Sequence, residues 1–207
     1  MRTQKSATYA RTPTSRPAAV LWLQGITVAW MLVECGVSLY AATSAHSPAL
    51  LAFGSDSFVE LLSAGVVLWQ FMPQFSISER NAGRAAGILL FVLAFIVFVM
   101  AILSLTQHLR PKVSYAGIAI SVAALIMMPI LAKLKQREAH RRNNPALAAD
   151  AMQSITCAYL ALITLAGLGV NAAFHIAWFD SVAALVAVPL LLKEGYAAWQ
   201  GHVCCSC

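Results

Sequence analysis

Six long apolar runs, joined by short polar connections, make up most of this chain, and they predict membrane-spanning helices. The runs lie at about 17–41, 48–72, 85–107, 113–133, 147–170 and 176–199. Each reaches the roughly 20 residues that a helix needs to cross a bilayer. They are apolar around the whole helix rather than along one stripe, which is typical of lipid contact. The sequence therefore predicts an all-α fold, a polytopic membrane protein of six transmembrane helices.

Little of the chain lies outside these runs. We expect residues 1–16 to be a disordered amino terminus, residues 17–199 to form the transmembrane domain and residues 200–207 to form a Cys-rich tail. Only 11% of the residues are charged, where soluble domains carry about 25%. The first run exceeds the ~7–15 residues of a signal-peptide core, so we interpret it as a span rather than a cleaved signal.

The basic residues predict the orientation. With six spans, the amino terminus, the second and fourth connections and Lys193 share one side, and only Arg110 and Lys112 lie opposite. Positive residues favour the cytoplasmic side, so both termini should be cytoplasmic, in the inner or plasma membrane of the cell. The net charge of +6 suits the anionic headgroups of the lipid bilayer and does not indicate nucleic acid.

Acidic residues in or beside the spans carry the functional argument. Such residues are costly in a membrane and usually face a bundle interior or an ion path. There are five, and no Lys or Arg is expected deep in any span to neutralise them: Glu34, Asp56, Glu60, Asp150 and Asp180. Glu34 either lines a cation path or hydrogen-bonds a neighbouring helix. Asp180 begins the sixth span, where an acid is most often a cap or a partner of the helix dipole.

Asp56 and Glu60 lie four residues apart in GSDSFVELLS of the second span, so they share one helix face. Helix rise places them about 10 Å and about 16 Å from the outer end of that span. Two carboxylates one turn apart repel each other unless a cation or a proton joins them. A cation site is the favoured interpretation, and a neutral pair of helix-packing hydrogen bonders is the alternative.

The fifth span offers a counterpart in ALAADAMQSITC. Asp150, Gln153 and Cys157 share a face there, with Cys157 expected about 16 Å deep and level with Glu60. Oxygen and thiolate ligands on two facing helices suit zinc. The alternatives are a small buried Cys157 and an interhelical hydrogen bond from Gln153. The predicted metal ligands are therefore Asp56, Glu60, Asp150, Gln153 and Cys157.

The last six residues, HVCCSC, crowd three thiols and one imidazole into a short segment. Thiolate-rich segments of this kind bind zinc or copper(I), and capture of metal is the favoured interpretation. Lipidation and a merely reducible tail are the alternatives.

These motifs resemble the transmembrane domain of the cation diffusion facilitator family. That family has six helices, cytoplasmic termini and a central zinc site with two residues four apart on each of the second and fifth helices. FGSDSFVELLS is similar to the second-helix pattern, AADAMQSITC to the fifth and WFDSVAALVA to the sixth. Gln153 and Cys157 stand where the family has His and Asp, and Ser181 stands where it has Pro. We expect a short variant without the large cytoplasmic domain that is common in the family.

The resemblance implies a homodimer with a zinc site. The leading hypothesis is a secondary transporter that exports a divalent metal ion from the cytoplasm, with protons as counter-ion because its ligands must lose protons to bind metal. Cadmium or cobalt would also suit the predicted ligands. The alternative is a membrane-embedded metal sensor or accessory subunit that binds without transport. A membrane enzyme is not expected, because no Glu-x-x-His motif and no paired His is present, and direct ATP coupling is not expected, because no nucleotide-binding motif is present.

Overall fold

Six α-helices make up the computed structural model, which describes residues 17–69, 79–107, 111–142, 145–176 and 178–200. In chain order they are α1 Pro17–Ala45, α2 Pro48–Trp69, α3 Glu79–Thr106, α4 Tyr115–Arg142, α5 Pro145–Phe174 and α6 Trp178–Gln200. The predicted all-α fold with six helices is confirmed. Four of the helices, α1, α3, α4 and α5, are long and apolar enough to cross a membrane. That α2 and α6 also cross it stays a prediction.

The largest difference from the predicted boundaries is in α4. The apolar run was expected to end at about residue 133 in a polar loop, but the helix continues to Arg142. The extra segment, LKQREAHRR, is rich in Leu, Lys, Gln, Arg, Glu and Ala, which are strong helix formers. Basic residues at its end also face the negative end of the helix dipole. Nine further residues carry α4 about 13 Å beyond the predicted span.

The helices are arranged around α2, which packs against α1, α3, α5 and α6. The outer helices contact one another in the order α1, α4, α5, α6 and α3. Large apolar side chains cover the outside of this bundle, among them Trp22, Val92, Phe95, Ile126 and Leu162. Acidic, amide and hydroxyl side chains are buried in its interior alongside apolar ones. An apolar exterior around a partly polar interior is the arrangement that a bilayer favours.

The crossing of α3 and α6 depends on glycine. A Cβ atom built on Gly87 would lie 2.7 Å from the backbone oxygen of Gly195 and 2.9 Å from the backbone nitrogen of Trp199. Backbone atoms cannot turn aside as a flexible side chain can. Small residues allow membrane helices to approach closely in this way. The absence of a side chain at Gly87 therefore sets the distance between α3 and α6.

Gly87→Ala is therefore expected to destabilise the bundle by about 1–3 kcal/mol, because the two backbones must move apart. Gly25→Ala is the matched control, since a Cβ atom there meets nothing within 4 Å. Thermal unfolding of both variants in detergent measures the difference. Equal unfolding temperatures for the two variants would show that the α3–α6 crossing tolerates the added methyl group.

Candidate metal centre

Two groups of buried polar side chains lie in the interior of the bundle. We call Glu34, Asp56, Ser57 and Cys157 the thiol cluster, and Gln24, Glu60, Lys135, Asp150 and Ser154 the lysine cluster. In both clusters every member is 4% exposed or less. Helices α1, α2 and α5 contribute to both, and α4 adds Lys135. Ionisable groups this deep in a membrane bundle indicate a functional site.

Glu34 organises the thiol cluster. Its Oε1 accepts hydrogen bonds from Ser57 Oγ at 2.7 Å and from Cys157 Sγ at 3.2 Å. Its Oε2 accepts one from the Trp30 indole Nε1 at 2.7 Å. The hydroxyl of Ser57 lies 3.9 Å from the thiol of Cys157. One carboxylate on α1 therefore ties α2 to α5. Glu34 does hydrogen-bond neighbouring helices, one of the two alternatives given for it, and its place on a cation path stays a prediction.

Asp56 lies beside two further groups. The Cys157 thiol and the carboxyl group of Glu194, on α6, both lie close enough to interact electrostatically with the Asp56 carboxyl. Neighbouring carboxyl groups repel each other unless a proton or a metal cation lies between them. The thiol cluster therefore extends toward α6, and the hydrogen-bond donors described for its carboxyl groups are uncharged side chains.

Lys135 organises the lysine cluster. Its Nζ lies 3.1 Å from Asp150 Oδ2 and 3.3 Å from Glu60 Oε1, and it donates to Ser154 Oγ at 2.8 Å. Ser154 Oγ in turn donates to Glu60 Oε1, and Gln24 Nε2 donates to Asp150 Oδ2 at 2.9 Å. One ammonium group thus bridges a carboxylate of α2 and a carboxylate of α5.

Three oxygen atoms of the lysine cluster remain without a hydrogen-bond partner. They are Gln24 Oε1, Glu60 Oε2 and Asp150 Oδ1, and all three are buried. Buried polar atoms are nearly always hydrogen-bonded, so each such oxygen needs an explanation. Each belongs to a group whose other polar atom is already engaged. The cluster therefore keeps acceptor capacity for a cation or a water molecule.

The two clusters are stacked along the bundle axis. Asp56 precedes Glu60 by one turn on α2, and Asp150 precedes Cys157 by about two turns on α5, which runs in the opposite direction. Gln24 precedes Glu34 on α1. The residue order along each of the three helices therefore places the lysine cluster nearer the amino-terminal end of α1. It places the thiol cluster nearer the carboxy-terminal end of α1.

Four of the five predicted ligands lie in the two clusters, two in each, and one lies in neither. Asp56, Glu60, Asp150 and Cys157 belong to the clusters, whereas Gln153 is only half-buried. The buried face of α5 carries Ser154 with Asp150 and Cys157. Cys157 lies level with Asp56 and Ser57, about one turn from the predicted level beside Glu60. The assignment of Gln153 as a ligand stays a prediction.

One expectation is wrong. No basic residue was expected deep in a span, yet Lys135 is 0% exposed and paired with two acids. The signal was present in the sequence, because Met128, Leu131, Ala132 and Ala139 form a buried helical stripe on which Lys135 falls. Lys135 stands two residues beyond the predicted end of the apolar run, so hydrophobicity alone places it in the connecting loop.

Four other members of the site were also missed: Gln24, Ser57, Ser154 and Glu194. Ser154 stands four residues after Asp150 and three before Cys157, a spacing that places it on their face. Glu194 lies within the sixth apolar run next to Lys193, and the pair suggests a helix end at the membrane surface. Only the packing of α6 against α2 places its carboxyl group beside Asp56.

Asp180 behaves as a cap, as expected, although for a neighbouring helix. Its Oδ1 accepts a hydrogen bond from Ser47 Oγ at 2.7 Å, and its Oδ2 accepts one from the backbone nitrogen of Ala49 at 3.3 Å. It therefore caps the first turn of α2 from the first turn of α6. It lies apart from both clusters.

Within the described residues, no three Cys, His, Asp or Glu side chains are already arranged to hold a metal ion. Glu34, Glu60 and Asp150 are instead engaged by internal donors such as Lys135, Ser57 and Trp30. The predicted HVCCSC metal cluster lies outside the described residues.

A polytopic helix bundle with an ionisable interior is typical of the membrane proteins that move ions. The comparison with known families specifies the class: the profile of the cation efflux transmembrane domain matches residues 78–199, more than half of the chain. The protein belongs to the cation efflux family, whose members are membrane transporters of divalent metal cations and not enzymes. The resemblance to the cation diffusion facilitators, as this family is also called, is thereby confirmed, with the motifs of the fifth and sixth helices inside the matched residues.

Proposed function

We propose that this protein exports a divalent metal ion, zinc foremost, from the cytoplasm in exchange for protons. The observation that carries the proposal is the meeting of α2 and α5 in the bundle interior. There Asp56 and Glu60 face Cys157 and Asp150 in a chain of the cation efflux family. Carboxylates neutralise a divalent charge, and a thiolate favours zinc or cadmium over magnesium or manganese.

The internal hydrogen bonds suggest how the acids are held when no metal is bound. Glu34 is engaged by Ser57, Cys157 and Trp30, while Glu60 and Asp150 are engaged by Lys135. Metal binding exchanges these donors for the ion. The thiol of Cys157 has to lose its proton to become a ligand, so proton release accompanies binding and protonation from the outside favours release.

The family resemblance also suggests a homodimer with both termini in the cytoplasm. In that orientation the lysine cluster lies toward the cytoplasm and the thiol cluster toward the outside. An ion leaving the cell would then meet Glu60 and Asp150 before Asp56 and Cys157.

Zinc flux into proteoliposomes tests the function. A zinc-sensitive dye inside vesicles that contain the purified protein should report zinc entry, and a proton gradient should accelerate it. Protein-free vesicles are the control. Zinc binding without flux would instead support the second candidate, a membrane-embedded sensor or accessory subunit, which the engagement of the acids by internal donors also fits.

The proposed orientation has its own test at the end of α4. His140 is exposed on the helical segment that continues past the apolar run. We expect His140→Cys, in a variant whose tail cysteines at 204, 205 and 207 are replaced by serine, to react with an impermeant maleimide only after the cells are opened. The remaining Cys35 and Cys157 are buried. Labelling in intact cells would place this segment outside and reverse the orientation.

A further inference from the structure

Lys135 has an environment that a lysine rarely occupies. Its side chain is fully buried, and among the buried residues that the structure describes it is the one cation. Removing an ammonium group from water costs several kcal/mol, which close carboxylates have to offset. The surrounding structure thus holds a positive charge at one defined point, between Glu60 and Asp150.

That point coincides with the inner half of the proposed metal path. Glu60 and Asp150 are two of the acids that the proposed function gives to the metal. A divalent ion and an ammonium group repel each other and cannot both lie between the same two carboxylates. Binding of metal at these acids therefore requires the ammonium group to leave.

The unpartnered oxygens indicate what a metal ion would find there. Lys135 contacts one oxygen of Glu60 and one of Asp150, while Glu60 Oε2 and Asp150 Oδ1 have no partner. Gln24 Oε1 is unpartnered as well. A single ammonium group leaves these acceptors unused, whereas a divalent ion can take more oxygen ligands at once.

The position of Lys135 on α4 would allow its ammonium group to move out of the cluster toward the membrane surface. It lies near the inner end of the apolar part of α4, and its neighbours Lys133, Gln136 and Arg137 are exposed. Long, flexible lysine side chains at such positions readily extend their charged ends toward the membrane surface.

We propose that Lys135 is a tethered cation that occupies the Glu60–Asp150 pair when metal is absent and competes with the incoming ion. This inference rests on the proposed function and adds a specificity-determining residue to it. The competition lowers the apparent affinity by the fraction of molecules in which the pair is vacant. An ion enters the path only if it binds the two carboxylates more strongly than the ammonium group does, through its higher charge and its larger number of ligands.

The test compares zinc affinities of the full-length protein in detergent, measured by equilibrium dialysis with radioactive zinc. Lys135→Ala should bind zinc at least about tenfold more tightly than the wild type, because the competitor is gone. Lys135→Arg should keep the wild-type affinity within a few fold. Lys133→Ala is the matched control: it removes the same charge from an exposed position two residues away and should change little.

A soluble amine separates competition from a structural role. n-Propylammonium replaces the part of the side chain that Lys135→Ala removes, so it should weaken zinc binding by this variant toward the wild-type value. It should leave the wild type and Lys133→Ala unaffected. Lys135→Gln, which is neutral but fills more space, serves as a second variant and should also bind zinc more tightly.

Unchanged or weaker zinc binding by the neutral variants would overturn the proposal, as would failure of both to fold. An absence of amine competition in a folded Lys135→Ala variant would do the same. If the wild type itself binds no zinc, the proposed function fails. Zinc binding by the wild type that depends on Asp56, together with unchanged binding by Lys135→Ala, would overturn the inference alone.

Discussion

Asp56→Asn is expected to abolish metal transport, lowering the zinc flux by at least about 100-fold. The amide keeps the size of the side chain but removes the negative charge beside Cys157 and Glu194. The remaining ligands then neutralise less of a divalent charge in an environment that does not solvate it. Zinc flux into proteoliposomes, normalised to reconstituted protein, measures the effect.

Asp180→Asn is the matched control for this substitution. It makes the same chemical change in another buried acid of the bundle, one that caps α2 and lies outside both clusters. It should retain transport with a lower unfolding temperature. Wild-type flux in Asp56→Asn would show that Asp56 is a packing residue and would remove the metal site from α2.

At Cys157, two substitutions should act in opposite directions. If the thiol is a metal ligand, Cys157→Asp keeps a working site and shifts preference toward harder ions such as manganese. Cys157→Ser should weaken zinc binding by at least about tenfold, because a hydroxyl is a poor neutral ligand. Vesicle flux with zinc, cadmium and manganese measures both variants.

A purely structural Cys157 would give the reverse order. A serine hydroxyl can donate to Glu34 as the thiol does, so Cys157→Ser would be mild. Cys157→Asp would place another buried carboxylate against Glu34 and Asp56 and would be damaging. A functional Ser variant beside an inactive Asp variant would remove Cys157 from the site.

The fold could be predicted from the sequence because its main determinant is local. A run of apolar residues about 20 long identifies a membrane helix wherever it packs, so six helices could be counted before any contact was known. Helix ends were less certain. The end of α4 follows helix propensity rather than hydrophobicity, so the helix continues about nine residues beyond the end of its apolar run.

The site was predictable where its residues share a helix. Asp56 and Glu60 form an i, i+4 pair, and Asp150 and Cys157 lie seven apart on one face, so periodicity alone paired them. The partners contributed by other helices were not predictable in this way. Whether Lys135 lies in a loop or in the interior depends on the length of α4 and its packing against α5. Glu194 reaches Asp56 only through the position of α6.

The hydrogen bond from Trp30 to Glu34 has a practical consequence. Indole emission responds to charges and hydrogen bonds at the ring nitrogen, and this nitrogen lies 2.7 Å from the carboxylate that also accepts from the Cys157 thiol. An ion that draws Glu34 or Cys157 into its coordination sphere would disturb that contact. Trp30 is one of five tryptophans in the chain, so its signal can be isolated by replacing the other four with phenylalanine. The protein therefore carries an intrinsic fluorophore beside the proposed metal path, and if metal binds there as proposed, occupancy should be measurable in real time without an attached dye.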